Sequence, residues 1–190
     1  MSFLFGAIPT GYLLVKALRG RDLRKFGSGN IGSTNVRRAA GRTASLITQI
    51  VDILKGTIPV AVAIFVSWHL DFGSAKMTVL GASALASILG HDFSPFLRFR
   101  GGKGVNTTVG AFLLLAPIPV TIGIVFFYGL RLTTSIVSIR SLALGFAIAV
   151  MTLILRIPPA ISIASWLAAF LIVVRHGGNI QRLVRHNELQ

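Results

Sequence analysis

Residues 104–130 run 27 positions without an Asp, Glu, Lys or Arg. Residues 1–15, 141–155 and 157–174 are equally free of charge, while 43–70 is broken only by Asp52 and Lys55 and 77–97 only by Asp92. A helix crosses a hydrocarbon slab ~30 Å thick with ~20 apolar residues, so these runs are candidate membrane spans. Composition agrees: 53% of the 190 residues are hydrophobic and 13% charged, against about a quarter charged in water-soluble domains. The mean hydropathy of +0.77 excludes a chain solvated by water on all sides. Asp52 and Lys55, three apart, share a helix face, where they can neutralise each other.

The 104–130 run is either one tilted helix or two short ones broken at Pro117-Ile118-Pro119, because proline removes a backbone donor and disfavours helix before it. The basic residues discriminate between the two. A hairpin collects 16 of the 19 Lys and Arg on one side, with only Lys76 and Arg156 opposite and Lys55 within a span; a single helix divides them 12 against 6. The positive-inside rule favours the hairpin. The expected architecture is therefore all-α: one integral membrane domain over residues 1–190, of seven transmembrane helices, amino terminus outside and carboxyl terminus cytoplasmic. Several spans are short; residues 104–118 would rise only ~22 Å, which implies local thinning, snorkelling basic ends, or a site sunk below the headgroups. Met1 and Ser2 place no basic region ahead of the first run, which reads as an uncleaved anchor. The cytoplasmic surplus of a chain with net charge +14 points to anionic membrane lipids, with no nucleic acid expected. Without Cys, and with Asp22, Asp52, Asp71, Asp92 and Glu188 scattered, no metal centre or cofactor is expected.

Three cytoplasmic segments pair glycine or small polar residues with cations, which suits anionic groups. In the first, Ser28, Gly29, Asn30, Gly32, Ser33, Thr34 and Asn35 precede Arg37 and Arg38. Bare amides can converge on an oxyanion there, and arginine adds charge in a fork geometry. Residues 27–32 satisfy G-x-G-x-x-G, yet a dinucleotide fold needs a preceding strand, and a helix and basic loop precede this one. The second is Gly101-Gly102-Lys103-Gly104, which leads into an apolar helix whose amino terminus favours an anion. It is no Walker loop, because Leu97 and Gly104 stand where Gly and Ser or Thr are required. The third holds Arg175, His176, Asn179 and Arg182; His176 and Asn179 would face the same way if the last helix continues. The 133–140 segment, with Ser138 and Arg140, is weak taken alone, and His91, like His69 and His186, reads as structural.

Residues 27–35, the turn 101–104 and the group Arg175, His176, Asn179, Ile180, Arg182 and Leu183 resemble the three cytoplasmic signatures of the bacterial acylphosphate:glycerol-3-phosphate acyltransferases, the PlsY family. The resemblance spans nearly the whole chain and includes its size and hydropathy. Ser33 stands where that family often has Ala, and Gly177-Gly178 where bulkier polar residues are common. The resemblance implies an enzyme of the bacterial cytoplasmic (inner) membrane, multi-pass, with its site on the cytoplasmic side. It would move a fatty acyl group from acyl phosphate to the 1-hydroxyl of glycerol 3-phosphate, the first step of phospholipid synthesis. Carried over by motif position, Lys103, Arg38, Ser138, His176 and Asn179 form the glycerol 3-phosphate and reaction-centre side. Ser28, Gly29, Asn30, Gly32, Ser33, Thr34 and Asn35 with Gly101, Gly102 and Gly104 form the acyl-phosphate side. The expected species is a monomer, and the proton acceptor is either His176 or a substrate phosphate. The H-x-x-x-x-D dyad of soluble-headed acyltransferases does not occur.

The competing reading is a small membrane transporter for an anionic phosphorylated solute. Its charges, however, cluster on one face, whereas transport sites lie near the midplane.

Overall fold

A computed structural model describes residues 1–185, and among them every regular element is helical. The α-helices are α1 (Ser2–Gly6), α2 (Thr10–Arg19), α3 (Ser33–Ala40), α4 (Arg42–His69), α5 (Lys76–Asp92), α6 (Val105–Leu113), α7 (Pro117–Gly129), α8 (Val137–Ile154), α9 (Pro159–Arg175) and α10 (Gly177–Val184). His186 and Glu188 lie outside the described residues.

Four of the six apolar runs fold around one long helix each, and two are divided. The 104–130 run breaks after Leu113 and resumes at Pro117, where a proline tolerates the first helical turn because that N–H has no partner to lose. The 1–15 run, expected as one span, is also broken: α1 ends at Gly6 and α2 starts at Thr10. Pro9 is the cause, since it cannot donate to the preceding turn and its ring crowds the residue before it. The carbonyls so exposed are satisfied by distant side chains. Ser94 Oγ donates to Ala7 O at 2.6 Å and Lys55 Nζ to Ile8 O at 3.0 Å. Lys55 also pairs with Asp52 at 2.8 Å, as their spacing led us to expect. A helix break at membrane depth is tolerable only where protein replaces the missing hydrogen bonds.

Glycine sets how closely the long helices approach. A Cβ on Gly110 of α6 would stand 1.9 Å from Ile53 O of α4, and one on Gly56 of α4 would stand 2.2 Å from Thr107 O of α6. Backbone therefore packs against backbone, the small-residue contact that holds helices together in lipid. A core of Val60, Ile88, Phe112, Val120, Ile148 and Ile161 joins α4 to α9. Phe65, Trp68, Phe126, Phe146, Ile163 and Phe170 are each more than half exposed, as apolar side chains facing lipid would be. Among the described residues α4 and α8 are long and apolar enough to cross a membrane, and α9 with α10, bent by 54°, would make a third such span. The remaining helices are shorter, and the nine residues of α6 rise about 13 Å.

A smaller cluster of Val15, Leu23, Ile31, Val36, Ala44 and Leu97 seats the 20–32 loop and α3 against α2 and α4. It brings the first glycine-rich segment to the end of the bundle where residues 93–104 turn.

Candidate active site

In the first segment, Asn35 is the organiser. Its side-chain amide donates to Phe26 O and Asn30 O at 2.9 Å each and accepts from Ser28 N at 3.2 Å. Asn30 Oδ1 accepts from Gly32 N at 2.7 Å. Both asparagines thus use their polar atoms on the loop itself. Gly32 then caps α3 with no side chain; Asn35 N bonds Gly32 O at 3.0 Å, so the Ser33 and Thr34 amides are left for whatever occupies the space that those two residues line. Ser45 of α4 donates to Ser33 O at 2.8 Å and fixes that turn.

The second segment folds back on the end of α5. Gly101 N donates to Asp92 O at 3.2 Å and Gly102 N to His91 O at 2.9 Å. A side chain at 102 would not fit, since its Cβ would stand 1.9 Å from His91 Nε2. Arg175 closes the other side, donating to Gly102 O at 2.9 Å and Gly101 O at 3.1 Å with its guanidinium 5.2 Å above the Phe93 ring. Gly101 and Gly102 therefore build the scaffold behind Lys103, their amides bound to α5. Gly104, at φ +69°, opens α6 without a side-chain cap. The Lys103 ammonium donates to Asn179 Oδ1.

In the third segment the helix does not continue. It ends at Arg175, turns through 54° and restarts as α10 at Gly177. The shared face expected for His176 and Asn179 is thus replaced by a corner, with Asn179 N bonded to His176 O at 2.8 Å. His176 is 2% exposed, and its Nδ1 lies 2.8 Å from Ile172 O. A carbonyl can only accept, so Nδ1 carries the proton, and Nε2 is the basic nitrogen of the neutral ring.

These segments and the amino terminus of α8 enclose a cavity of about 340 Å³. Lys103, His176, Asn179, Ser138, Arg38, Ser28, Asn30, Gly32, Ser33, Thr34, Asn35 and Gly104 all line it, whereas Gly29, Gly101 and Gly102 do not. The family model for glycerol-3-phosphate acyltransferases matches residues 1–186. The chain belongs to the glycerol-3-phosphate acyltransferase family. A relative from Clostridium acetobutylicum described by that name is 50% identical over 99% of this chain and 95% of its own length. One from Syntrophotalea carbinolica is 38% identical over 98% and 92%. A crystal structure of PlsY (YgiH), an integral membrane glycerol 3-phosphate acyltransferase in its glycerol 3-phosphate form, superposes with TM-score 0.91 at 32% identity over 100% of this chain and 91% of that one. Its lysophosphatidic acid form gives 0.87 at 31%.

The acyltransferase cavity also contains residues that the sequence did not assign to the site. Gln49, Ser45, Asp52, His91, Asn106 and Arg140 line it. His91, read as structural, both lines the cavity and abuts Gly102, and its Nδ1 lies 3.9 Å from Asp52 Oδ1. Among the described residues the lining carries Arg37, Arg38, Lys103, Arg131, Arg140 and Arg182 against one carboxylate, Asp52, which Lys55 already neutralises. Such a lining favours anions, and its position behind low-dielectric walls strengthens that preference. Among the described residues no three His, Cys, Asp or Glu side chains gather as metal ligands.

Proposed function

We propose that this acyltransferase moves a fatty acyl group from acyl phosphate to the 1-hydroxyl of glycerol 3-phosphate, giving lysophosphatidic acid and inorganic phosphate. One observation carries the reading: a single strongly cationic cavity gathers hydroxyls, amides and cations from three segments distant in sequence. Both substrates are phosphorylated, and one carries a tail that belongs in lipid. Acyl phosphate is a mixed anhydride with a good leaving group, so attack by the glycerol hydroxyl needs no covalent acyl-enzyme. The new ester C–O bond forms as the bond from acyl carbon to phosphate oxygen breaks, and positioning and charge stabilisation lower the barrier. Lys103 compensates phosphate charge, Asn179 holds the Lys103 ammonium, and Arg38 and Ser138 complete the glycerol 3-phosphate side. The Ser33 and Thr34 amides at the head of α3, with the hydroxyls of Ser28, Ser33 and Thr34, take the acyl phosphate. The hydroxyl proton passes either to His176 Nε2 or to a phosphate oxygen of the bound substrate. Near-normal turnover by His176→Gln at saturating substrate assigns it to the phosphate.

The protein works as a monomer in the bacterial inner membrane among anionic lipids. It has seven spans, its amino terminus outside, and the cavity and carboxyl terminus on the cytoplasmic side. The 16-to-2 division of basic residues supports that orientation.

Detergent-purified protein with EDTA, given glycerol 3-phosphate and acyl phosphate, acyl-CoA or acyl carrier protein thioester in turn, tests the reaction. Phosphate release with acyl phosphate is expected. Turnover with thioesters alone contradicts the donor, and a transporter would release no phosphate.

A further inference from the structure

Arg140 is a buried cation with no counter-ion among the described residues. It leaves the first turn of α8 between Ser138 and Ser141, lines the cavity and is 8% exposed. Its guanidinium carbon lies 4.9 Å from the centre of the Phe127 ring, a face that supports a cation but accepts no in-plane hydrogen bond. Nη2 reaches Ser135 O only at 3.5 Å, and the buried Nε has no partner. The one carboxylate of the cavity among the described residues, Asp52, is 2.8 Å from Lys55. A guanidinium so desolvated is costly unless something negative meets it, and among the described residues nothing does. The Phe127 ring packs against the guanidinium, and a tetrahedral oxyanion engages such a group through two parallel N–H bonds.

We propose that Arg140 is an anion-binding residue of this cavity, which takes a phosphate monoester or acyl phosphate group through its guanidinium N–H groups, with the Ser138 and Ser141 hydroxyls as further donors. The phosphate arrives on glycerol 3-phosphate or on the acyl donor. The proposal rests on the acyl-transfer reading for the identity of these ligands, but not for the anion chemistry itself.

Full-length Arg140→Met and Arg140→Gln, purified in detergent, are titrated calorimetrically with inorganic phosphate and with glycerol 3-phosphate, and their KM values for both substrates are measured. Phosphate affinity is expected to fall on the order of 10- to 100-fold, as for a lost charge-assisted hydrogen bond. The ligand-free Met variant should melt at or above the temperature of the parent, because the charge it removes has no partner to lose. The substrate whose KM rises identifies the source of the phosphate. Unchanged phosphate affinity together with a lowered melting temperature would show a structural pin and overturn the proposal. Should Arg140→Met and Arg140→Gln not fold, Arg140→Lys keeps the charge without the planar fork; full phosphate affinity in that variant overturns the proposal, and a loss supports it. Phosphate binding that depends on Arg140 in a protein unable to turn over acyl phosphate would refute the acyl-transfer reading and leave this site standing.

Discussion

The Lys55 ammonium stands 2.8 Å from Asp52 Oδ1 and 3.0 Å from Ile8 O, with 2% of its side chain exposed. Removing it leaves a buried carboxylate without its cation and takes one of two donors from Ile8 O, which keeps Thr10 N at 3.0 Å. Lys55→Met should therefore destabilise the protein by about 3–5 kcal/mol, and Asp52→Asn combined with Lys55→Met by less, because no charge is then left unpaired. Thermal unfolding in detergent reads both. At the surface, Arg24 donates to both oxygens of Asp22, at 2.7 and 3.0 Å, and holds its carboxyl at about 2 against an ordinary value of 3.8. A lowered folded-state pKa stabilises above the unfolded value, so this pair contributes fully above pH 3.8 and is lost as pH falls toward 2. An NMR titration of the Asp22 side-chain carbon should show the low midpoint, and Arg24→Gln should return it to the ordinary range.

Helices α4 and α6 touch through backbone at Gly110, where a Cβ would meet Ile53 O at 1.9 Å. Gly110→Ala forces them apart and should cost about 1–3 kcal/mol. It should also lower activity, because Gly104 and Lys103 sit at the head of α6. Arg175 ties two elements at a distance. Its guanidinium bonds Gly101 O and Gly102 O, while the next residue, His176, begins the corner that holds Asn179. We expect Arg175→Met to reduce kcat/KM for glycerol 3-phosphate by up to ~10²-fold, as a misplacement of about 1 Å does. In a Lys103→Met background it should produce little further loss of glycerol 3-phosphate binding. Equal losses in both backgrounds would make Arg175 a general support and not a strut for Lys103.

The topology can be tested with little ambiguity, because the chain contains no Cys and each introduced thiol reports alone. Ser74→Cys and Arg100→Cys alter exposed positions that the seven-span arrangement puts on opposite sides. An impermeant maleimide applied to intact cells should label position 74 and leave position 100 unlabelled until the membrane is opened. Labelling of both from outside would reject the arrangement, and with it a cytoplasmic cavity.

Long-range order in this protein divides along a physical line. Apolar runs and scattered basic residues act through the solvent, and solvent preference is a property of composition along the chain; the helical membrane class, the break ahead of Pro117 and the three anion-suited segments are therefore legible in the residues themselves. The Asp52–Lys55 pair is legible too, since a helix repeats every 3.6 residues. What the linear order could not disclose depends on which distant groups meet. The break at Pro9 survives because Ser94 and Lys55 answer its carbonyls. Gly101 and Gly102 turn their amides to α5 and away from the cavity, and His91 and Arg140 enter the lining with no motif to announce them. Hydrogen bonds and excluded volume between segments decided these features, and such terms come into being only once the chain has packed.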